Sequence, residues 1–150
     1  MSKNTKQKLG PLSSFDLNHF LPYLLNLAAE VTSQSFQSIY KAEHGMTRVQ
    51  WRVMANLGKH GSMTASEICR LTFIEKTKVS RAVQALSEKG LLSRSVAQDR
   101  RSEMLTLTRQ GKVAFAALGK KARNFDQALR AQLGQETGKS LENALKALIK

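Results

Sequence analysis

The sequence predicts a mostly α-helical fold with a single small β-hairpin, and three local patterns carry that prediction. Two helix starts are written reciprocally, in Thr47-x-x-Gln50 and in Thr64-x-x-Glu67. In each, the threonine oxygen can accept from the backbone of the third residue on, whose side chain reaches back to the threonine N–H. Between Lys76 and Lys89 the apolar residues Val79, Ala82, Val83 and Leu86 recur at helical spacing, with Thr77, Ser80, Arg81 and Gln84 on the opposite side. After Gly90, the segments Leu91–Val96 and Met104–Thr108 flank a short charged loop, Ala97-Gln98-Asp99-Arg100-Arg101, and so read as a hairpin.

Taken in chain order, residues 1–12 read as a disordered basic tail carrying Lys3, Lys6 and Lys8. From Leu17 the residues Phe20, Leu21, Leu24, Leu27, Ala28, Val31 and Ile39 keep a helical period that stops near His44-Gly45, with Pro22 in the first turn. The helix begun at Thr47, with Met46 and Trp51 as its hydrophobic staple, stops between Gly58 and Gly61. The helix begun at Thr64, stapled by Met63 and Ile68, is too short to be stable alone and must pack on its neighbours before a turn at Phe73-Ile74. The next helix closes at Lys89-Gly90, a cation followed by a residue that takes the left-handed conformation freely. Beyond the hairpin, Thr108 caps a helix whose stripe is Phe115, Leu118, Ala122, Phe125, Leu129 and Leu133. A break at Gly134 to Gly138 precedes a last amphipathic helix bearing Leu141, Ala144, Leu145, Leu148 and Ile149.

Helix, turn, amphipathic helix and basic hairpin, in that order, make a winged helix-turn-helix, whose second helix presents small polar and basic residues to a DNA major groove. Charge agrees: 24 Lys+Arg against 11 Asp+Glu leave a formal +13, which favours a polyanionic partner, although a basic solvated surface carries the same number. Enzyme chemistry has no support, because no nucleophile elbow, phosphate loop, H-E-x-x-H or motif-placed acid pair is present. His19, His44 and His60 are too scattered to hold a metal with the lone Cys69, so no metal and no cofactor are expected. Cys69, beside Ile68, reads as a small packed residue against the alternative of a redox switch. Asp16, Asn18 and His19 interrupt any signal-like apolar run and no span is long enough for a bilayer, so a cytoplasmic protein without membrane contact is expected.

The helices at the two chain ends are amphipathic with no evident core of their own, and the economical covering is the same element of a second copy. The expected organisation is a single unit over residues 13–150, with dimerisation helices at 13–45 and 109–150 around a winged lobe at 46–108, acting as a homodimer.

The chain resembles the MarR family of bacterial transcription regulators over nearly its whole ordered length. The matching pieces, in order, are FLPYLLNLA, MTRVQWRVMANL, TASEICRLTFIEKTKVSRAVQALSEKGLLSR and DRRSEMLTLTRQG, and the D-R-R followed by L-T-x-x-G is the most specific. The resemblance implies a dimer whose two winged lobes grip adjacent turns of DNA and repress genes until a small molecule lowers DNA affinity. It assigns Thr77, Lys78, Ser80 and Arg81 to the major groove and Arg101 to the minor groove, with Asp99 holding that arginine through a salt bridge. An arginine suits a narrow minor groove because its flat, permanent charge meets the groove's negative potential. Val96-Ala97 departs from the Asp-Pro pair that many relatives carry before Asp99.

The DNA-contact set expected from the sequence is therefore Lys76, Thr77, Lys78, Ser80, Arg81, Gln84, Asp99, Arg100 and Arg101. Thr77, Ser80 and Gln84 are the base readers, whereas Lys78 and Arg81 either read bases or touch phosphate alone. Arg100 is either a wing contact or a charged loop tip. His19, Phe20, Tyr23, Trp51 and Arg52 form a candidate effector pocket for an aromatic acid or phenol, against the simpler reading of Trp51 as staple and core. The function expected is a homodimeric, sequence-specific repressor of a near-palindromic duplex site, released by such an effector. The alternative is a DNA-packaging or accessory protein with neither sequence preference nor ligand.

Overall fold

A computed structural model describes residues 14–96, 98–99 and 101–150, so the tail at 1–12, Ala97 and Arg100 lie outside the described residues. The described residues divide into two compact units between Gln34 and Ser35, inside the first α-helix.

In the first unit a 3-10 turn, Leu17–His19, is capped by Asp16, whose Oδ1 accepts from the Asn18 N–H at 2.9 Å. Helix α1 follows over Leu21–His44, with Pro22 in its first turn, where a missing N–H costs nothing. No described residue between 14 and 34 is buried, and the predicted stripe is open: Leu21, Leu24, Leu27 and Val31 are all exposed.

The second unit holds the end of α1, then α2 (Arg48–His60), α3 (Ala65–Thr72), α4 (Lys76–Glu88), strands β1 (Leu92–Val96) and β2 (Glu103–Leu107), and helices α5 (Arg109–Leu133) and α6 (Gln135–Ile149). Both capping boxes form as the sequence requires. Thr47 accepts from Gln50 N at 3.2 Å and Thr64 from Glu67 N at 3.2 Å, while Gln50 and Glu67 reach back to the threonine N–H groups. Met46, Met63 and Ile68 are buried, and Trp51 packs against the same core.

Helix α2 ends at His60 with Gly61 as its cap, inside the expected range, whereas the later break is narrower than expected. Helix α2 runs through Gly58 to His60, and a Cβ on Gly58 would lie 2.5 Å from the Phe115 ring, so that glycine serves helix-to-helix contact inside α2. The later break is at Gly134 alone, because Gly138 lies buried inside α6 against Arg130.

The core joins Tyr40 of α1, Val53, Met54 and Leu57 of α2, Ile68 of α3, Val79, Val83 and Leu86 of α4, Leu92, Leu105 and Leu107 of the hairpin, and Ala114 and Leu118 of α5. Burial of such side chains contributes about 1.5–3 kcal/mol each before chain entropy is subtracted. Past Leu118, no residue of α5 is buried, and α6 packs on that outer half of α5.

The hairpin is antiparallel with Leu92 opposite Leu107 and Val96 opposite Glu103. Met63 adds a short third rung: its N–H donates to the Leu105 carbonyl at 3.0 Å and its carbonyl accepts from Leu105 N at 2.8 Å. Residues Leu107-Thr108-x-x-Gly111 lock the base of the hairpin to α5. Thr108 donates to the Gly90 carbonyl at 2.6 Å and accepts from Gly111 N at 3.0 Å, and its N–H bonds the Leu91 carbonyl at 3.1 Å. A Cβ on Gly111 would stand 2.0 Å from that Leu91 oxygen, so only glycine fits.

Candidate nucleic-acid interface

Helix α4 sorts its residues as its sequence dictates. Val79, Ala82, Val83 and Leu86 are buried, whereas Lys76, Thr77, Lys78, Ser80, Arg81 and Gln84 are exposed. Gln84 is not idle, since its Nε2 donates to Glu88 Oε1 at 2.9 Å. The helix begins at Glu75, which offers no side-chain cap, so its first backbone N–H groups have no partner from that residue. The turn before it passes through Phe73, held at φ +56° with 91% of its surface exposed. A left-handed non-glycine residue is a feature that no local sequence signal announced.

Between the first turn of α3, α4 and the hairpin lies a cleft of 390 Å³ whose lining includes Ser66, Lys76, Ser80, Arg94, Arg101 and Glu103. The fold thus brings together three of the sequence-selected residues, Lys76 and Ser80 of α4 and Arg101 of the hairpin loop, with β1 lying between them in the chain. Thr77, Lys78, Arg81 and Gln84 share the exposed side of α4 without lining the cleft. Arg94 is the residue that sequence reasoning missed. It sits on β1 opposite Leu105, with its Nε 4.0 Å from Glu103 Oε2, a partly exposed and therefore weak pair. The signal was available: Arg94 lies two residues beyond buried Leu92, yet alternation in LLSRS was too irregular to assign faces.

Asp99 acts on Arg101 differently from the salt bridge that the resemblance implied. Its Oδ1 accepts from the Arg101 backbone N–H at 3.1 Å, so the carboxylate shapes the loop and leaves the guanidinium unbound by that contact. Both residues are exposed.

The five candidate effector residues fall in both units. In the first, His19 Nδ1 lies 2.7 Å from Asp16 Oδ2, Phe20 meets Phe15 edge-on at 5.2 Å, and Tyr23 is half-buried. In the second, Trp51 stacks on Tyr40 at 5.7 Å and meets Phe36 edge-on at 5.4 Å, while Phe36 also touches Phe125. Burial pushes the Tyr40 hydroxyl above the usual phenol pKa, with Arg48 and Arg52 partly offsetting that push. Trp51 is therefore a member of a packed aromatic group, and Arg52 a cation within electrostatic reach of it. Cys69 is half-buried in α3 and packs against the core. Among the described residues, no three His, Cys, Asp or Glu side chains gather as a metal would require, and no helix is long and apolar enough to cross a membrane.

This geometry can be compared with known proteins. Residues 44–102, which hold the capping boxes, the helix-turn-helix and the first strand of the hairpin, match the model described as "MarR family". The HTH-type transcriptional repressor MdtR of Bacillus subtilis (strain 168) is 32% identical over 99 residues, 64% of this chain and 63% of MdtR. The crystal structure of the MarR family transcriptional regulator SPO1453 from Silicibacter pomeroyi DSS-3 superposes with a TM-score of 0.79 at 25% identity, covering 90% of this chain and 96% of that one. NadR in complex with 4-hydroxyphenylacetate shares the fold, with a TM-score of 0.76 at 22% identity over 95% and 99% of the two chains. The segment over residues 44–102 is thus similar to the MarR family, and it is set in a fold that a MarR family transcriptional regulator shares along nearly its whole length.

Proposed function

We propose that the chain is a homodimeric repressor that binds one near-palindromic duplex site through its winged lobe and leaves it when a small aromatic acid or phenol binds. The observation that carries this reading is the cleft where Lys76 and Ser80 of α4 meet Arg94 and Arg101 of the hairpin, beside an exposed row of Thr77, Lys78, Arg81 and Gln84. Short hydroxyls and an amide suit base edges, and the cations around them suit phosphates. Arg101 enters the minor groove, Arg100 is a further wing contact in this reading, and Asp99 sets the loop that presents Arg101. Dimerisation is supported by the uncovered apolar residues of α1 and α6, for which a second copy is the natural cover. MdtR is itself a repressor, which supports the sign of regulation. NadR holds 4-hydroxyphenylacetate, which supports the ligand class, and here Arg52 beside the Trp51 and Tyr40 rings is the carboxylate partner we assign.

Selection of bound duplexes from a random pool at physiological salt tests the reading. We expect a twofold site with half-sites about one helical turn apart, preferred over other duplexes by a factor of about a thousand or more. Equal capture of any duplex overturns it in favour of a packaging role.

A further inference from the structure

Helix α4 closes on Lys89, and that exposed ammonium finds three acceptors. Its Nζ donates to the His44 carbonyl at 3.0 Å, the Gly45 carbonyl at 3.1 Å and Gln50 Oε1 at 3.3 Å. An ammonium has three donors, so its hydrogen-bonding capacity is filled. The two carbonyls belong to the C-terminal end of α1, where a helix leaves its own acceptors without partners and its dipole favours a cation. The Gln50 oxygen also accepts from Thr47 N at 3.3 Å, closing the capping box of α2. One cation therefore ties together the end of α1, the start of α2 and the end of α4.

The apolar contacts of α4 with α2, α3 and β1 hold the helix in place but impose little direction. Hydrogen bonds are directional, and these tie the far end of α4 to α1 and α2, while the Thr108 bonds to Gly90 and Leu91 tie it to the base of the hairpin. We propose that Lys89 is a positioning residue: it fixes the tilt of α4 against the end of α1 and thereby sets the half-site spacing that a dimer of this chain accepts. The inference rests on the dimeric, site-specific reading above.

The test uses duplexes carrying the twofold site selected by the wild-type protein, with the spacer lengthened or shortened by one and two base pairs. Binding is measured across a salt series for the wild type, Lys89→Met, which keeps a similar apolar stem without donors, and Gln50→Glu, which keeps a capping box and places a negative charge against Lys89. Thermal melting runs alongside. For Lys89→Met we expect about a tenfold loss at the wild-type spacing, the scale of a lost charged hydrogen bond. The loss at altered spacings should be smaller, so that spacing preference flattens while the salt slope stays the same. Gln50→Glu should sharpen the preference. A salt slope reduced by about one unit with preference intact would overturn the inference, because Lys89 would then be a phosphate contact. A lower melting temperature with unchanged affinity and preference would overturn it too, leaving a tie that only stabilises the fold. If Lys89→Met does not fold, Gln50→Glu decides, and an unchanged preference sinks the idea. A wild-type protein that selects no twofold site overturns the dimeric reading itself, and the spacing claim falls with it.

Discussion

In the winged lobe, Val53, Met54, Ile68, Val79, Leu86 and Leu105 are each at most 1% exposed, whereas in the N-terminal unit Leu21 and Val31 are 70% and 64% exposed. Helix α6 of the second unit resembles that N-terminal segment: Leu141, Leu148 and Ile149 are all exposed. Both regions are written with the same helical period of apolar residues, so periodicity alone does not separate a stripe that one chain buries from a stripe that it leaves open. What separates them is supply. One core gathers residues from five helices and a hairpin, and the chain ends have fewer partners within their own units. The lobe's stability should therefore belong to the monomer, and the order of the chain ends to the assembly.

The largest effect should come from Gly111→Ala, which forces a Cβ into the Leu91 carbonyl. We expect a loss of about 3 kcal/mol or more in urea unfolding, because backbone must move to make room. Leu86→Ala should cost about 2–5 kcal/mol by opening a cavity in the lobe, and by the same amount at every protein concentration. Leu24→Glu, in contrast, should leave the lobe's far-UV signal in place and raise the dimer dissociation constant more than tenfold, read by sedimentation. If Leu24→Glu destabilises the lobe as Leu86→Ala does, the contrast between the two regions collapses. The smallest effect concerns acid. The Thr64 N–H that donates to Glu67 holds its carboxyl below the usual carboxylate range. Its folded pKa is thus lower than its unfolded one, so its contribution is present above the unfolded value and is lost as pH falls through the folded value. Between about pH 5 and pH 3 the wild type should lose slightly more stability than Glu67→Gln.

Local chemistry was legible and long-range pairing was not. The capping boxes at Thr47 and Thr64, the two faces of α4 and the hairpin were readable because every partner lies within a few residues. The rung between Met63 and Leu105 joins residues far apart in the chain, and Met63 carries no mark beyond its role as a staple. Lys89 reads as an ordinary cation near a helix end, because its acceptors lie on another helix that only the fold brings close. Arg94 was hidden by the irregular alternation of LLSRS, and the Asp99 contact with the Arg101 backbone N–H by a resemblance that spoke only of a salt bridge. The packing role of Gly58 was not legible because the ring that requires it, Phe115, lies in a helix that begins beyond the hairpin.

The rung at Met63 bears on how the protein behaves when many copies crowd together. Met63 bonds the outer side of β2 at Leu105, the middle of that five-residue strand, so the free margin on that side is interrupted. The opposite margin is β1, five residues long with Arg94 at its middle. Sheets join edge to edge where a strand is long, flat and uncharged, and this margin is short and cationic. Copies brought close together should therefore meet through their helices, while their sheets stay apart.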